Sequence, residues 1–219
     1  MGASLDPAMV LEAYRRGLFP MPLPDRHARS RRAIRPRTAP RPGWWSPSVG
    51  WWSPNPRGIL PPGRFHLSRS LRRSMGRFNY SVDQAFADVV IGCADPTRPR
   101  GWIDDAMLDL YLKLHELGFA HSVEVWRPGE TVLAGGLFGV EIGGLFAAES
   151  MFYRCTDASK AAVAYLVSAL AARGTDGLLD IQWLTPHLTS LGAESVSRQR
   201  YLELLGEALE LEPRLSRSR

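Results

Sequence analysis

Cysteine is scarce in this sequence, long apolar runs are missing, and one extended stretch has no acidic residue. Two cysteines, Cys93 and Cys155, are too few for a disulfide framework and lack metal-site spacing. A reduced, cytosolic setting is the expectation. The first 20 residues contain no apolar stretch of signal-peptide type. The most apolar run, Ala161 to Ala172, is shorter than the roughly 20 residues a bilayer span needs. A soluble protein, with no membrane partner and a monomer by default, is therefore expected. The familiar phosphate loop, dinucleotide fingerprint, His-Glu-x-x-His zinc motif and Gly-x-Ser-x-Gly elbow are all absent. From Arg26 to Val82 there is no Asp or Glu, against 13 Arg. The 219 residues carry a formal +5, so the remainder sums to −8. A basic front end joined to an acidic remainder points to a polyanion partner.

What is present suits a folded core, with 45% apolar and 22% charged residues. Asp6-Pro7 opens a short helix that Gly17 closes, and Phe19-Pro20 breaks the run. Arg26 to Pro42 reads as mobile loop. Trp44-Trp45-Ser46-Pro47 and Trp51-Trp52-Ser53-Pro54 repeat, but two short copies make no repeat architecture. Ser81 and Gln84 have capping-box spacing ahead of a helix carrying Phe86, Val89 and Val90. A second helix starts at Asp104 and ends at Gly118. Ala120–Trp126, Thr131–Val140 and Ile142–Ser150 read as an antiparallel meander, with only Glu141 between the last two runs. Asp157 caps a long helix, Leu178–Leu184 is one more strand, and Ser197 opens a last helix. The strand after the long helix allows a parallel crossover, so the fold class is α/β or α+β. We divide the chain into a small N-terminal domain, 1–62, and a larger domain, 63–219.

Several residues stand out chemically. Gly135-Gly136 and Gly143-Gly144 imply either a bulged meander or a ligand lying against it. Glu149 is the only charge between Glu141 and Arg154, so it is either paired, with Arg154 or a backbone amide, or recognises an amine. Asp180 and Gln182 share one strand face, with Leu179, Ile181 and Trp183 on the other. A carboxylate beside an amide suits either structural pairing or orientation of an attacking amine. His187 reads more readily as a hydrogen-bonded structural group than as a base. Four Trp within nine residues, beside Arg-rich sequence, suit unpaired bases. Arg69, Arg72, Arg73 and Arg77 recur at helical intervals as a basic stripe with no acid to balance it.

Taken in order, these stretches resemble the leucyl/phenylalanyl-tRNA–protein transferases. They are Ala13 to Pro20, Trp51 to Arg57, Leu114 to Gly118, His121 to Trp126, Gly135 to Val140, Glu149 to Phe152, Asp157 to Lys160, Thr185 to Leu188 and Ser190 to Ala193. The resemblance implies a small N-terminal domain and an acetyltransferase-like (GNAT-type) mixed-sheet domain. It implies transfer of leucine or phenylalanine, and less readily methionine, from aminoacyl-tRNA to proteins beginning with Arg or Lys, marking them for degradation. No cofactor or metal is implied, because the ester is already activated. By position, Asp180 and Gln182 match the catalytic pair, and Trp51, Trp102, Leu137, Phe146 and Glu149 match the aminoacyl pocket or its rim. Arg69, Arg72, Arg73 and Arg77 would hold the tRNA acceptor end through phosphates. Met21 and Ala148 depart from the usual aromatic and Gly, and the 30 residues from 21 to 50 exceed the usual loop. Two other readings stay open, an acetyl-CoA-dependent N-acetyltransferase and a non-catalytic RNA-binding module. The first would want a glycine loop that Ser150 to Asp157 lacks, and the second leaves Glu149, Asp180 and Gln182 without a purpose.

Overall fold

A computed structural model describes residues 5–22, 49–97, 101–172, 174 and 177–215. The loop expected between Arg26 and Pro42, and the first Trp-Trp-Ser-Pro, lie outside the described residues. The chain opens with α1 (Pro7–Arg15), where the Asp6 carboxylate accepts from the amides of Ala8 and Met9. Val10, Leu11, Ala13 and Tyr14 form its buried face. Gly17, at φ +74°, turns the chain into β1 (Phe19–Pro22), which pairs antiparallel with β2 (Val49–Trp52).

The remaining strands form one mixed sheet of seven. They are β3 (Arg57–Ile59), β4 (Asn79–Val82), β5 (Ala120–Trp126), β6 (Leu133–Ile142), β7 (Leu145–Tyr153), β8 (Leu178–Gln182) and β9 (Glu194–Val196), in the order β4-β5-β6-β7-β8-β3-β9. All neighbours are antiparallel except β7 and β8, which run parallel. The helices are α2 (Arg69–Met75), α3 (Phe86–Cys93), α4 (Asp105–Glu116), α5 (Ala158–Ala171), α6 (Pro186–Thr189) and α7 (Arg198–Leu209). One core, centred on α1, α3 and α4, covers one sheet face, and a second, from α2 and α5, covers the other. Tyr201, Leu205 and Ala208 of α7 seal the β3–β8 end. Among the described residues no helix is long and apolar enough to cross a membrane.

The mixed α/β class, the meander, the parallel crossover strand and the caps at Asp6, Asp104 and Ser197 agree with the sequence reading. Four local expectations need correction. Ser81 does not cap a helix: it lies in β4, donates to Glu124 at 2.5 Å and accepts from the Trp126 indole at 2.8 Å. Strand pairing wins there, and α3 begins later, at Phe86, without a side-chain cap. Second, β6 runs on through Glu141, and the turn is Gly143-Gly144, with Gly143 at φ +57°. Glu141 belongs to the strand because its carboxylate accepts the amides of Arg214 and Leu215. Third, Asp157 precedes α5 but makes no cap hydrogen bond, since its carboxylate turns to Ser74 and Lys160. Fourth, Gln182 does not share a face with Asp180 but turns to the side of Leu179 and Ile181, and Trp183 does not stand with those two. Gln182 sits at φ +64°, which breaks the alternation and packs Trp183 edge-on against Phe19.

The segment Arg57–Ile59, on the N-terminal side of the division at residue 62, is a strand of the large sheet. It lies between β8 and β9.

Candidate active site

The parallel pairing of β7 with β8 is brief. It joins Leu145, Phe146 and Ala147 to Leu178, Leu179 and Asp180 and then stops. Beyond that point each strand has an irregularity. On β7, Phe138 pairs with Ser150 and Gly139 with Ala148, so Glu149 is the extra residue of a bulge. On β8 the left-handed Gln182 ends the strand. A cavity of about 130 Å³ lies in this gap, walled by Leu60, Leu137, Met151, Leu166 and Leu179, with Glu149, Ser150 and Gln182 as its polar residues.

Glu149 is buried without a cationic hydrogen-bond partner. Tyr14 donates to Oε1 at 2.7 Å, Tyr111 to Oε2 at 2.8 Å, and Gln182 Nε2 to Oε1 at 3.2 Å. The expected alternatives, Arg154 or a backbone amide, do not hold it: Arg154 donates to the Leu133 carbonyl and lies over the Phe152 ring. Burial pushes the Glu149 pKa up to about 7, against the lowering effect of the tyrosine and glutamine donors. Burial, reinforced by the carboxylate, pushes both tyrosine hydroxyls well above their usual range, so each stays a donor.

Asp180 is completely buried. Its Oδ1 accepts from Arg57 Nε at 2.9 Å and from the Gln182 amide at 2.9 Å. Its Oδ2 accepts from Arg57 Nη2 at 2.6 Å and from the Tyr201 hydroxyl at 2.9 Å. Arg57 in turn donates to the Gly17 carbonyl at 3.2 Å and lies between the rings of Phe19, at 4.7 Å, and Tyr201, at 4.4 Å. Burial alone would lower the Arg57 pKa, but the bidentate pairing with Asp180 leaves it raised. The pair fixes the amide of Gln182 in its left-handed conformation. It also ties the turn after α1 to the end of β8.

The sequence-derived candidates are therefore distributed unevenly. Leu137, Glu149 and Gln182 line the cavity, and Phe146 is core beneath it, in the same cluster as Leu137. Trp102 meets Tyr111 edge-on at 6.2 Å, one residue removed from Glu149. Trp51 sits in β2 opposite Pro20, packed against the first core. Arg69, Arg72 and Arg73 lie on α2, whereas Arg77 follows the helix and donates to Ser74 at 2.6 Å. His187 lies in α6, at a neighbouring groove. Sequence reasoning gave no role to Arg57, Tyr14, Tyr111 or Tyr201. Arg57 and Tyr14 do fall within the quoted stretches, but nothing in their spacing announces a partner more than 100 positions away. Among the described residues no group of His, Cys, Asp and Glu is arranged to hold a metal.

An apolar recess ending at a near-neutral carboxylate and an oriented carboxamide suits an apolar side chain carrying an adjacent amine or acyl group. The comparisons with known proteins identify the family. The family model "Leucyl/phenylalanyl-tRNA protein transferase" matches residues 59–206, and the model of that family's N-terminal domain matches residues 3–27. A leucyl/phenylalanyl-tRNA–protein transferase of Oleidesulfovibrio alaskensis is 42% identical over 99% of this chain and 82% of its own. One from Cereibacter sphaeroides is 46% identical over 94% of this chain and 86% of its own. Among solved structures, that of L-PGS from Bacillus licheniformis covers 60% of this chain and 48% of its own at 13% identity and a TM-score of 0.43, a likeness too low to build on. With its model spanning most of the residues from β3 to α7, this chain belongs to the leucyl/phenylalanyl-tRNA–protein transferases, a family of aminoacyltransferases.

Proposed function

We propose that the protein takes leucine or phenylalanine, and less readily methionine, from aminoacyl-tRNA and joins it to the N-terminal Arg or Lys of an acceptor protein. It would act as a cytoplasmic monomer on an acetyltransferase-like sheet and so mark the acceptor for degradation. The observation that carries this reading is the apolar recess at the split between β7 and β8, with Glu149 and Gln182 at its polar end.

The chemistry needs little beyond placement. The acceptor's neutral α-amine attacks the ester carbonyl, a C–N bond forms, and the C–O bond to the terminal ribose breaks. The ammonium proton is lost and the ribose oxygen gains one. An aminoacyl ester is already activated, so orientation and electrostatics supply the rate. Glu149 takes the Nε2 hydrogen of Gln182, which leaves the amide oxygen of Gln182 to accept a hydrogen bond from the attacking amine. Asp180 works through Gln182 as a positioning residue, since both of its oxygens are engaged by Arg57, Tyr201 and the Gln182 amide. The recess accepts side chains with a methylene at Cβ and resists the β-branched Ile and Val. A single methylene is worth only about 1–3 kcal/mol, so shape supplies much of that choice. The exposed Arg69, Arg72 and Arg73 of α2 take tRNA phosphates.

The test is transfer of labelled leucine from charged tRNA to peptides beginning with Arg, Lys or Ala, with acetyl-CoA as control donor. Label on the Arg and Lys peptides alone is expected. Label on the Ala peptide would remove the acceptor rule, and acetylation in place of leucylation would overturn the donor.

A further inference from the structure

Two of the stretches singled out in the sequence, Asp157 to Lys160 and Thr185 to Leu188, contribute almost nothing to the acyl recess. The fold nevertheless brings them together. A groove of about 480 Å³ adjoins the recess, and Met151 lines both. Its walls are Tyr153 at the end of β7, Thr156 and Asp157 just before α5, Ser159 and Lys160 in its first turn, and His187 of α6. Tyr153 is 69% exposed, the most exposed large apolar side chain among the described residues.

The charge balance of the groove is specific. Lys160 Nζ lies 3.4 Å from Asp157 Oδ1. Asp157 Oδ2 accepts from Ser74 at 2.7 Å, and Ser74 accepts from Arg77 at 2.6 Å. The Ser74 hydroxyl, then Lys160 and Arg77, hold the Asp157 carboxyl below its usual range, so it stays ionised between two cations. Within the lining Lys160 balances Asp157, and Arg77, held behind Ser74 outside the lining, makes the surroundings of the groove net positive. Burial, then the Lys160 ammonium, pushes the His187 imidazole down, which keeps it neutral near pH 7. The Ser74–Asp157 bond also ties α2 to the start of α5. The groove therefore adjoins the acyl recess at Met151 and α2 at Asp157.

We propose that this groove holds the phosphodiester and base immediately 5′ of the aminoacylated nucleotide. Lys160 and the hydroxyls of Thr156 and Ser159 meet the phosphate, the Tyr153 ring stacks under the base, and His187 meets the ribose. This inference rests on the aminoacyl-tRNA reading above. The single-stranded end of a tRNA needs a cation for its backbone and an aromatic face for a base. An acceptor peptide beginning with Arg or Lys carries two positive charges and is disfavoured beside Lys160 and Arg77.

Two non-hydrolysable probes separate the possibilities: 3′-phenylalanylamino-adenosine, and the CCA trinucleotide carrying the same 3′-phenylalanylamino group. Their dissociation constants would be measured on the wild type, Tyr153→Ala and Lys160→Gln, together with KM for an Arg-first peptide. Each substitution should weaken the trinucleotide about tenfold and leave the adenosine probe within about twofold. Lys160→Gln should also reduce the salt slope of trinucleotide binding by about 0.7, as loss of one phosphate contact predicts. Equal weakening of both probes, or no change in either, overturns the proposal. A raised peptide KM with unaltered trinucleotide binding would give the groove to the acceptor instead. A wild-type protein that transfers leucine while its groove variants match it loses only this inference. A wild type that binds neither probe and transfers nothing loses the aminoacyl-tRNA reading as well.

Discussion

Replacing Asp180 by Asn separates a positioning role from a chemical one. The carboxylate accepts four hydrogen bonds, two of them from a guanidinium as buried as itself. Asparagine keeps the volume but presents an NH₂ group to two of those four donors, and it leaves the Arg57 charge uncompensated. Removing one partner of a buried ion pair costs about 3–5 kcal/mol. That is a large share of a typical stability of about 5–15 kcal/mol. At a urea m-value near the top of the usual range, ~3 kcal/mol/M, the unfolding midpoint should fall by roughly 1–1.7 M. Transfer should drop with it, because a neutral amide oxygen holds the Gln182 amide less firmly than the carboxylate paired with Arg57 does, while tRNA binding through α2 is retained. The second half of the test adds Arg57→Met. Removing the orphaned cation should restore most of the stability, since replacing a buried pair by apolar groups is often neutral or better. Transfer should stay low, because Gln182 remains unheld. The result that refutes this reasoning is a midpoint shift equivalent to less than about 1 kcal/mol with transfer abolished. Asp180 would then act on the amine itself, through an opening its burial does not suggest.

Replacing Arg72 and Arg73 together by Ala should weaken tRNA binding and reduce the magnitude of its salt slope by about 1–2; an unchanged slope takes α2 off the tRNA path. Burial raises the Glu149 pKa from its ordinary 4.5 to about 7, so the folded state holds a proton that the unfolded state releases between those values. Its ionisation therefore costs stability as pH rises from about 4.5 to 7, by about 3 kcal/mol in all, and Glu149→Gln should be more stable than wild type at pH 8 but not at pH 4.5. The same substitution should slow transfer above pH 7 more than below it, if the ionised carboxylate is what orients Gln182. His121 is buried with Nδ1 at 2.7 Å from Asp83 and Nε2 at 3.6 Å from Glu141. Burial opposes its protonation, but the two carboxylates raise its pKa, so its contribution is full below about pH 6.5 and lost as pH rises through the folded value. His121→Gln should then destabilise the protein more at pH 6 than at pH 9, by urea titration, and an equal loss at both would mean the imidazole serves only as packing.

What the sequence revealed follows from the range of each interaction. The strand-like run Ala120–Trp126 and the helix starts at Asp6, Asp104 and Ser197 are local signals, and each settled its own element. Ser81 had the right local pattern and still went to the sheet, because Glu124 and Trp126 on the paired strand offered it better partners. Glu149 and Gln182 could be singled out by composition, as polar groups in apolar runs. What made them a site could not be read: the bulge at Glu149 comes from how β7 registers with β6, and the left-handed Gln182 from an amide held by Asp180. Asp180 in turn depends on Arg57, from a three-residue strand with no periodicity, and on Tyr201 from the last helix. The family resemblance gave Asp180 its importance without its reason. In the proposed reaction its burial means that Asp180 influences an incoming amine only through what it holds. The same logic extends to the front of the chain. Tyr14 donates to Glu149, and Gly17 accepts from Arg57. The first helix and the turn after it thus supply contacts that the polar end of the recess depends on, and they belong to the site although they contribute no wall to the recess.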